Sequence, residues 1–163
     1  MRLQREVPGP GQESVWDYPR PPRVEAVPER VRIEFGGRTV VDTVDAVRVL
    51  ETSHPPVYYV PRDAVAAELR PAPGASLCEF KGAAKYLTLA AGDAVADSAV
   101  WYYPHPSPGY EALAGRVAVY PARMDRCEVA GETVRAQEGD FYGGWITSRV
   151  VGPFKGAPGT RGW

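Results

Sequence analysis

The stretch "RVRIEFGGRTVVDT" (residues 30–43) decides how this chain is read. Apolar and polar side chains alternate on both sides of Gly36-Gly37. A period of two is the signature of a strand with one face buried. A diglycine supplies the positive φ angles that a tight turn between two such strands needs. The stretch is therefore predicted to be a β-hairpin. Working outward, the same logic returns. "KYLTLAAGDAVADSAVWYYP" (85–104) forms a second hairpin that turns at "AGD", and "RCEVAGETVRA" (126–136) a third that turns at "AGE".

Between them, "VRVLETSHPPVYYVP" (47–61) reads as two strands parted by an extended turn, because the residue before a proline is pushed out of the helical region. "GRVAVYP" (115–121) reads as another strand. "RDAVAAELRPAPG" (62–74) is predicted to form one short helix, started by Asp63 and stopped by Pro71, with a further turn at "SPGYEALAG" (107–115). Residues 1–28 are proline-rich with few aliphatics. They are expected to form an extended arm, pinned by Trp16 and Tyr18, ahead of a single β-rich domain over 29–163.

Composition agrees. The chain has 17 Gly and 17 Pro alongside 9 Tyr and 4 Trp, a content suited to turns between strands rather than to helix interiors. A net charge of −1 gives no footprint for nucleic acid or for an anionic membrane. The start of the chain is polar, with no apolar stretch for secretion and no span of about 20 apolar residues. The expected location is the cytoplasm, where Cys78 and Cys127 are free thiols. Arginine far outnumbers lysine, which suggests a GC-rich bacterial source.

Two of the three lysines sit in the same four letters, "FKGA", at 80–83 and at 154–157. The order around them also repeats. Gly37, Val40 and Asp42 are followed by "HPP", "YYVPRD" and the first "FKGA". Gly92, Val95 and Asp97 are followed by "HPSP", "VYPARMD" and the second. Two readings stand: a duplicated unit, with two similar sheets facing each other and each Gly of "FKGA" allowing close backbone approach, which the shared order favours, or chance recurrence of a Gly-Ala motif in a glycine-rich chain.

The blocks "ETSHPPVYYVP" (51–61), "CEFKGAAKY" (78–86), "AVWYYPHPSPGYEALAGRVAVYPARMD" (99–125) and "FYGGWITSRVVGPFKGAPGTRGW" (141–163) together resemble domain-of-unknown-function family 427, and "GPGQESVWDYPRPP" (9–22) fits one branch of it. Phe80 stands where the resemblance implies Trp. The resemblance implies an all-β domain of the β-tent (Mss4-like) kind. Many relatives of that kind hold zinc in paired C-x-x-C knuckles; this chain has none, so no metal is expected. The family is sometimes labelled nucleotidyltransferase-like, yet there is no GxGxxG, no GxxxxGK[ST] and no D-x-D pair, and no cofactor is expected.

Candidate chemistry gathers in a few patches. Glu51 and His54 are three residues apart, and an unperturbed His titrates near neutrality. Cys78 has Lys81 nearby, a setting that can lower a thiol pKa. Tyr58 and Tyr59 must point to opposite faces of their strand, whereas Trp101 and Tyr103 share one face and Tyr102 takes the other. Arg123 is suited to bidentate binding of a carboxylate. Trp145 is expected to close one end of a pocket. The expected site is a cleft between two sheets that binds a small polar or anionic molecule through Glu51, His54, Tyr59, Lys81, Trp101, Tyr103, Arg123 and Lys155. Two alternatives stand beside it: an enzyme using His54 and Glu51 or Cys78 in the same cleft, and a protein-interaction or homodimerisation module.

Overall fold

The computed structural model describes residues 3–139 and 141–163. Residues 1 and 2 of the expected arm lie outside them. The described residues form fifteen strands and four single 3-10 turns, with no helix of seven residues or more. The first seven strands are β1 (Glu13–Ser14), β2 (Arg23–Val27), β3 (Val31–Phe35), β4 (Arg38–Thr43), β5 (Ala46–Leu50), β6 (Val57–Pro61) and β7 (Glu68–Cys78). They are followed by β8 (Gly82–Ala91), β9 (Ala94–Tyr102), β10 (Arg116–Val119), β11 (Arg126–Val129), β12 (Glu132–Thr133), β13 (Arg135–Ala136), β14 (Trp145–Ile146) and β15 (Val150–Val151). The protein is all-β.

The hairpins form where the period-two stretches meet at glycine turns. Phe35 pairs with Arg38, Ala91 with Ala94, and Val129 with Glu132. Two main sheets result. Seven strands run in the order β2-β5-β6-β10-β9-β8-β7, and four in the order β12-β11-β3-β4. One face of the larger sheet packs on the smaller. Val60, Leu87, Leu89, Val100 and Val117 meet Val31, Ile33 and Val41 there, all nearly inaccessible to solvent. Each such side chain contributes about 1.5–3 kcal/mol of apolar burial. The opposite face of the seven-stranded sheet carries its own buried set, including Val47, Val49, Tyr59, Ala84, Trp101, Tyr103 and Ala118. Both faces of this sheet are therefore covered, and the alternation along each strand assigns the side chains between them.

Three expectations are corrected. The stretch 62–74 is not a helix. It holds a 3-10 turn at Arg62–Ala64 and then the long strand β7. β7 is the edge of its sheet, paired with β8 on one side, and an edge strand tolerates Pro71 and Pro73 because their missing N–H groups are not required by a neighbour. Second, the sheets do not divide the chain into two halves. The smaller sheet joins β3 and β4 to β11 and β12, so β4 and β9, which share a place in the repeated schedule, lie in different sheets. Third, the segment read as an arm supplies β2 as the other edge strand of the large sheet, registered from Arg23↔Leu50 to Val27↔Ala46, and Val15 is fully buried.

Candidate functional site

The repeated "FKGA" fixes two corners of a cavity. Phe80 and Lys81 lie in the turn between β7 and β8, and Gly82 opens β8 with a φ of +113°. A side chain at Gly82 would press on the main-chain oxygen of His105 and the Ser107 hydroxyl, while the Ser107 N–H donates to the Lys81 carbonyl at 2.9 Å. The second copy lies in the irregular tail. Its Lys155 N–H donates to the Ser53 carbonyl at 2.9 Å, and the Gln137 side-chain amide donates to the Lys155 carbonyl at 2.7 Å. Gly156, with a φ of +130°, is so close to the Glu138 carbonyl that a Cβ would overlap it. The tail is thus tied across the "ETSHPP" turn, and it carries Lys155 to the place that Lys81 also reaches.

The cavity has a volume of about 300 Å³. It lies on the face of the seven-stranded sheet turned away from the four-stranded sheet, not in the expected cleft between two sheets. Residues from β5 (Val49) to β7 (Cys78) line it together. A flat sheet would hold those strands about 24 Å apart, five intervals of about 4.8 Å. The sheet therefore curls, and its concave side is the cavity floor. Tyr59, Trp101 and Tyr103 form that floor; Tyr142 and Gln137 belong to the tail above it. Leu77 and Phe141, 81% and 64% exposed, stand in its wall as solvent-facing apolar groups.

Seven of the expected ligand residues meet here: Glu51, His54, Tyr59, Lys81, Trp101, Tyr103 and Lys155. Side chains alternate between the two faces at both places. Tyr58 packs in the other core while Tyr59 lines the cavity, and Tyr102 packs away from Trp101 and Tyr103. Two expectations fail. Arg123 is outside this cavity and lines an adjoining hollow, where its Nη1 donates to the Asp97 carbonyl at 3.0 Å. Trp145 does not close the pocket. It is buried in the other core against Tyr58, with ring centres 4.9 Å apart, and it is the neighbouring Gly143 that meets the Trp101 ring. Sequence reasoning missed Gln137, Phe141 and Tyr142, which have no strand period to mark them.

The charged side chains of the lining are two lysines, Lys81 and Lys155, and two carboxylates, Glu79 and the Arg20-paired Glu51. The Lys81 ammonium lies 5.9 Å from the centre of the Tyr103 ring and that of Lys155 lies 5.5 Å from Tyr142, both within cation–π range. Lys155 Nζ also donates to the Trp163 main-chain oxygen at 3.1 Å. His54 packs edge-on against Tyr142, with ring centres 5.1 Å apart. Burial, reinforced by Lys155, Arg20 and Lys81, pushes its pKa down to about 4. Glu51 lies 3.8 Å from His54 Nε2 but is shared with Arg20 at 3.4 Å, so it does not restore the proton. His54 is neutral at pH 7. Burial raises the phenols of Tyr59 and Tyr103, and it raises Tyr120 to about 12. The Tyr59 oxygen accepts from Trp101 Nε1 at 3.3 Å. Cys78 Sγ accepts from the Lys81 N–H at 3.4 Å. Among the described residues, no three His, Cys, Asp or Glu side chains gather as a metal site, and no helix is long and apolar enough to cross a membrane.

The family model described as Domain of unknown function (DUF427) matches residues 23–130, well over half the sequence. The chain belongs to the DUF427 family. No curated protein matches it. The DUF427 segment supplies the cavity floor, His54 and Lys81, whereas Gln137, Phe141, Tyr142, Gly143 and Lys155 come from the tail that follows the matched residues.

Proposed function

We propose that this DUF427 protein is a cytoplasmic binding domain whose cavity takes a small anionic molecule with a flat apolar body. One observation carries the reading: Lys81 and Lys155, far apart in sequence, share one aromatic-walled cavity. Its volume of about 300 Å³ lies at the lower end of the range for small-molecule sites. Cation and aromatic wall are complementary to different parts of such a ligand. The ammonium groups attract a carboxylate or phosphate, and Tyr59, Trp101 and Tyr103 offer apolar ring surface. A neutral His54 can donate one further hydrogen bond without adding charge.

Catalysis in the same cavity is the less favoured reading. The 3.8 Å between His54 and Glu51 is too long for the hydrogen bond of a proton-relay pair, and Cys78 accepts a backbone N–H rather than facing a base. The experiment is a thermal-shift titration with benzoate, biphenyl monocarboxylate and phenyl phosphate against their neutral methyl esters or parent phenols. At a hundred times Kd, a ligand of the folded state adds about 2.7 kcal/mol, roughly 5–10 °C for a chain of this size. The anions are expected to raise Tm, the neutral analogues to have little effect, and Lys81→Ala combined with Lys155→Ala to abolish the difference. Equal shifts for anions and neutral analogues, or shifts that survive the double substitution, refute the proposal.

A further inference from the structure

The cavity does not end at its tail wall. Beside it lies a second hollow of about 510 Å³, and Tyr86, Tyr120, Gln137, Phe141 and Tyr142 line both. What stands between them is thin. The Tyr120 hydroxyl donates to the Phe141 carbonyl at 3.3 Å, at the weak end of hydrogen-bond distances, and the Phe141 ring is largely in solvent. Across that divider, Arg123 is the charged side chain among the described residues that line the hollow. It projects from the 3-10 turn Pro121–Arg123 and is oriented by its bond to the Asp97 carbonyl. That bond uses one of five N–H donors in a planar fork shaped for a carboxylate.

We propose that the lysine cavity and the Arg123 hollow are two halves of one groove, which takes an elongated molecule with an anionic group at each end and a flat apolar middle. The inference rests on the reading of the lysine cavity as an anion site and goes further by fixing the ligand's length and its second charge. The arrangement of charge supports it. Lys81 and Lys155 lie at one end together with Glu79 and the Arg20-paired Glu51, Arg123 lies at the other, and the aromatic rings of Tyr86, Tyr120 and Phe141 lie between. A ligand crossing the divider would cover Phe141, which otherwise leaves a large apolar ring in water. Its second carboxylate would find the Arg123 fork.

The test is isothermal titration of the full chain with biphenyl monocarboxylate and biphenyl dicarboxylate at matched ionic strength. The dicarboxylate is expected to bind about tenfold tighter, the value of one added charge-assisted pair to arginine. Arg123→Ala is expected to remove that advantage, with Arg123→Lys recovering only part of it because the fork is lost. Equal affinity of the two probes for the unaltered protein overturns the inference while leaving the anion site standing. An advantage that persists in Arg123→Ala also overturns it. Failure of both probes to bind removes the underlying reading of the cavity, and the groove with it.

Discussion

Replacing His54 by Gln should change how stability depends on pH, and the size of the change follows from the site. An imidazole in an unfolded chain titrates near 6.5. In the folded protein, burial and the charges of Lys155, Arg20 and Lys81 bring it to about 4. Between those values the unfolded chain binds a proton that the folded protein refuses. Stability therefore falls as pH drops from 6.5 toward 4, and this contribution is flat outside that window. At about 1.4 kcal/mol per pKa unit, the loss is roughly 2 kcal/mol by pH 5 and roughly 3 kcal/mol by pH 4. Carboxylates titrate in the same range, so the readout is the difference between two proteins rather than either curve alone. Urea unfolding at pH 7, 6, 5 and 4.5 should show the unaltered protein losing stability faster than His54→Gln, with the gap opening below pH 6.5. Parallel curves would mean that His54 takes up its proton at the ordinary pH, and that neither burial nor the cations Lys155, Arg20 and Lys81 act on it as the structure implies. An anion held between the lysines opposes the same depression, so a saturating probe ligand should narrow the gap.

The two glycines of the repeated motif should respond differently to alanine. Gly156→Ala forces a side chain into the Glu138 carbonyl at a φ of +130° and is expected to cost about 3 kcal/mol or more in chemical denaturation. At Gly82 the nearest atoms are 3.2 Å away and one is a side-chain hydroxyl, so the cost should be nearer 1–2 kcal/mol; equal costs would contradict the tail packing. The cysteines should separate in a thiol-reagent assay on the native protein. Cys127, 2% exposed and raised by burial to about 12, should not react, whereas Cys78 in the cavity wall should, and an anionic ligand should slow it. Labelling of Cys127 at the rate of Cys78, or no slowing by ligand, would count against the burial of the one or the placement of the other.

What could be read from the residues alone was what local periodicity and turn chemistry determine. The three hairpins appear at Gly36-Gly37, "AGD" and "AGE" because alternation fixes which face is buried, and glycine fixes where the chain reverses. The same alternation separated Tyr59 from Tyr58 and grouped Trp101 with Tyr103 without any knowledge of the sheet. The helix expected over 62–74 shows where this reasoning stops. Its alanines favour helix locally, but pairing with β8 along the sheet edge outweighs that preference, a tertiary effect invisible in the segment itself.

The meeting of the two lysines was legible for a different reason. The shared "FKGA" marked two backbone positions that need glycine, and close approach at each is what delivers its lysine to the cavity. Their convergence does not require the two halves of the chain to be equivalent. Lys81 is set by a hairpin turn of the large sheet, whereas Lys155 is set by a tail bonded to Ser53 and Gln137. The roof was not legible, because Gln137 and Phe141 are held by hydrogen bonds and Tyr142 by ring contacts with His54 and Phe141, all in irregular backbone. The face was not legible either. Alternation says that Tyr59 and Trp101 lie on one side of their sheet; only the curl of seven strands decides that this side, and not the one against the smaller sheet, encloses a cavity. Shape of that kind comes from the sum of strand twists and from the tail that covers the hollow, and no single segment encodes it.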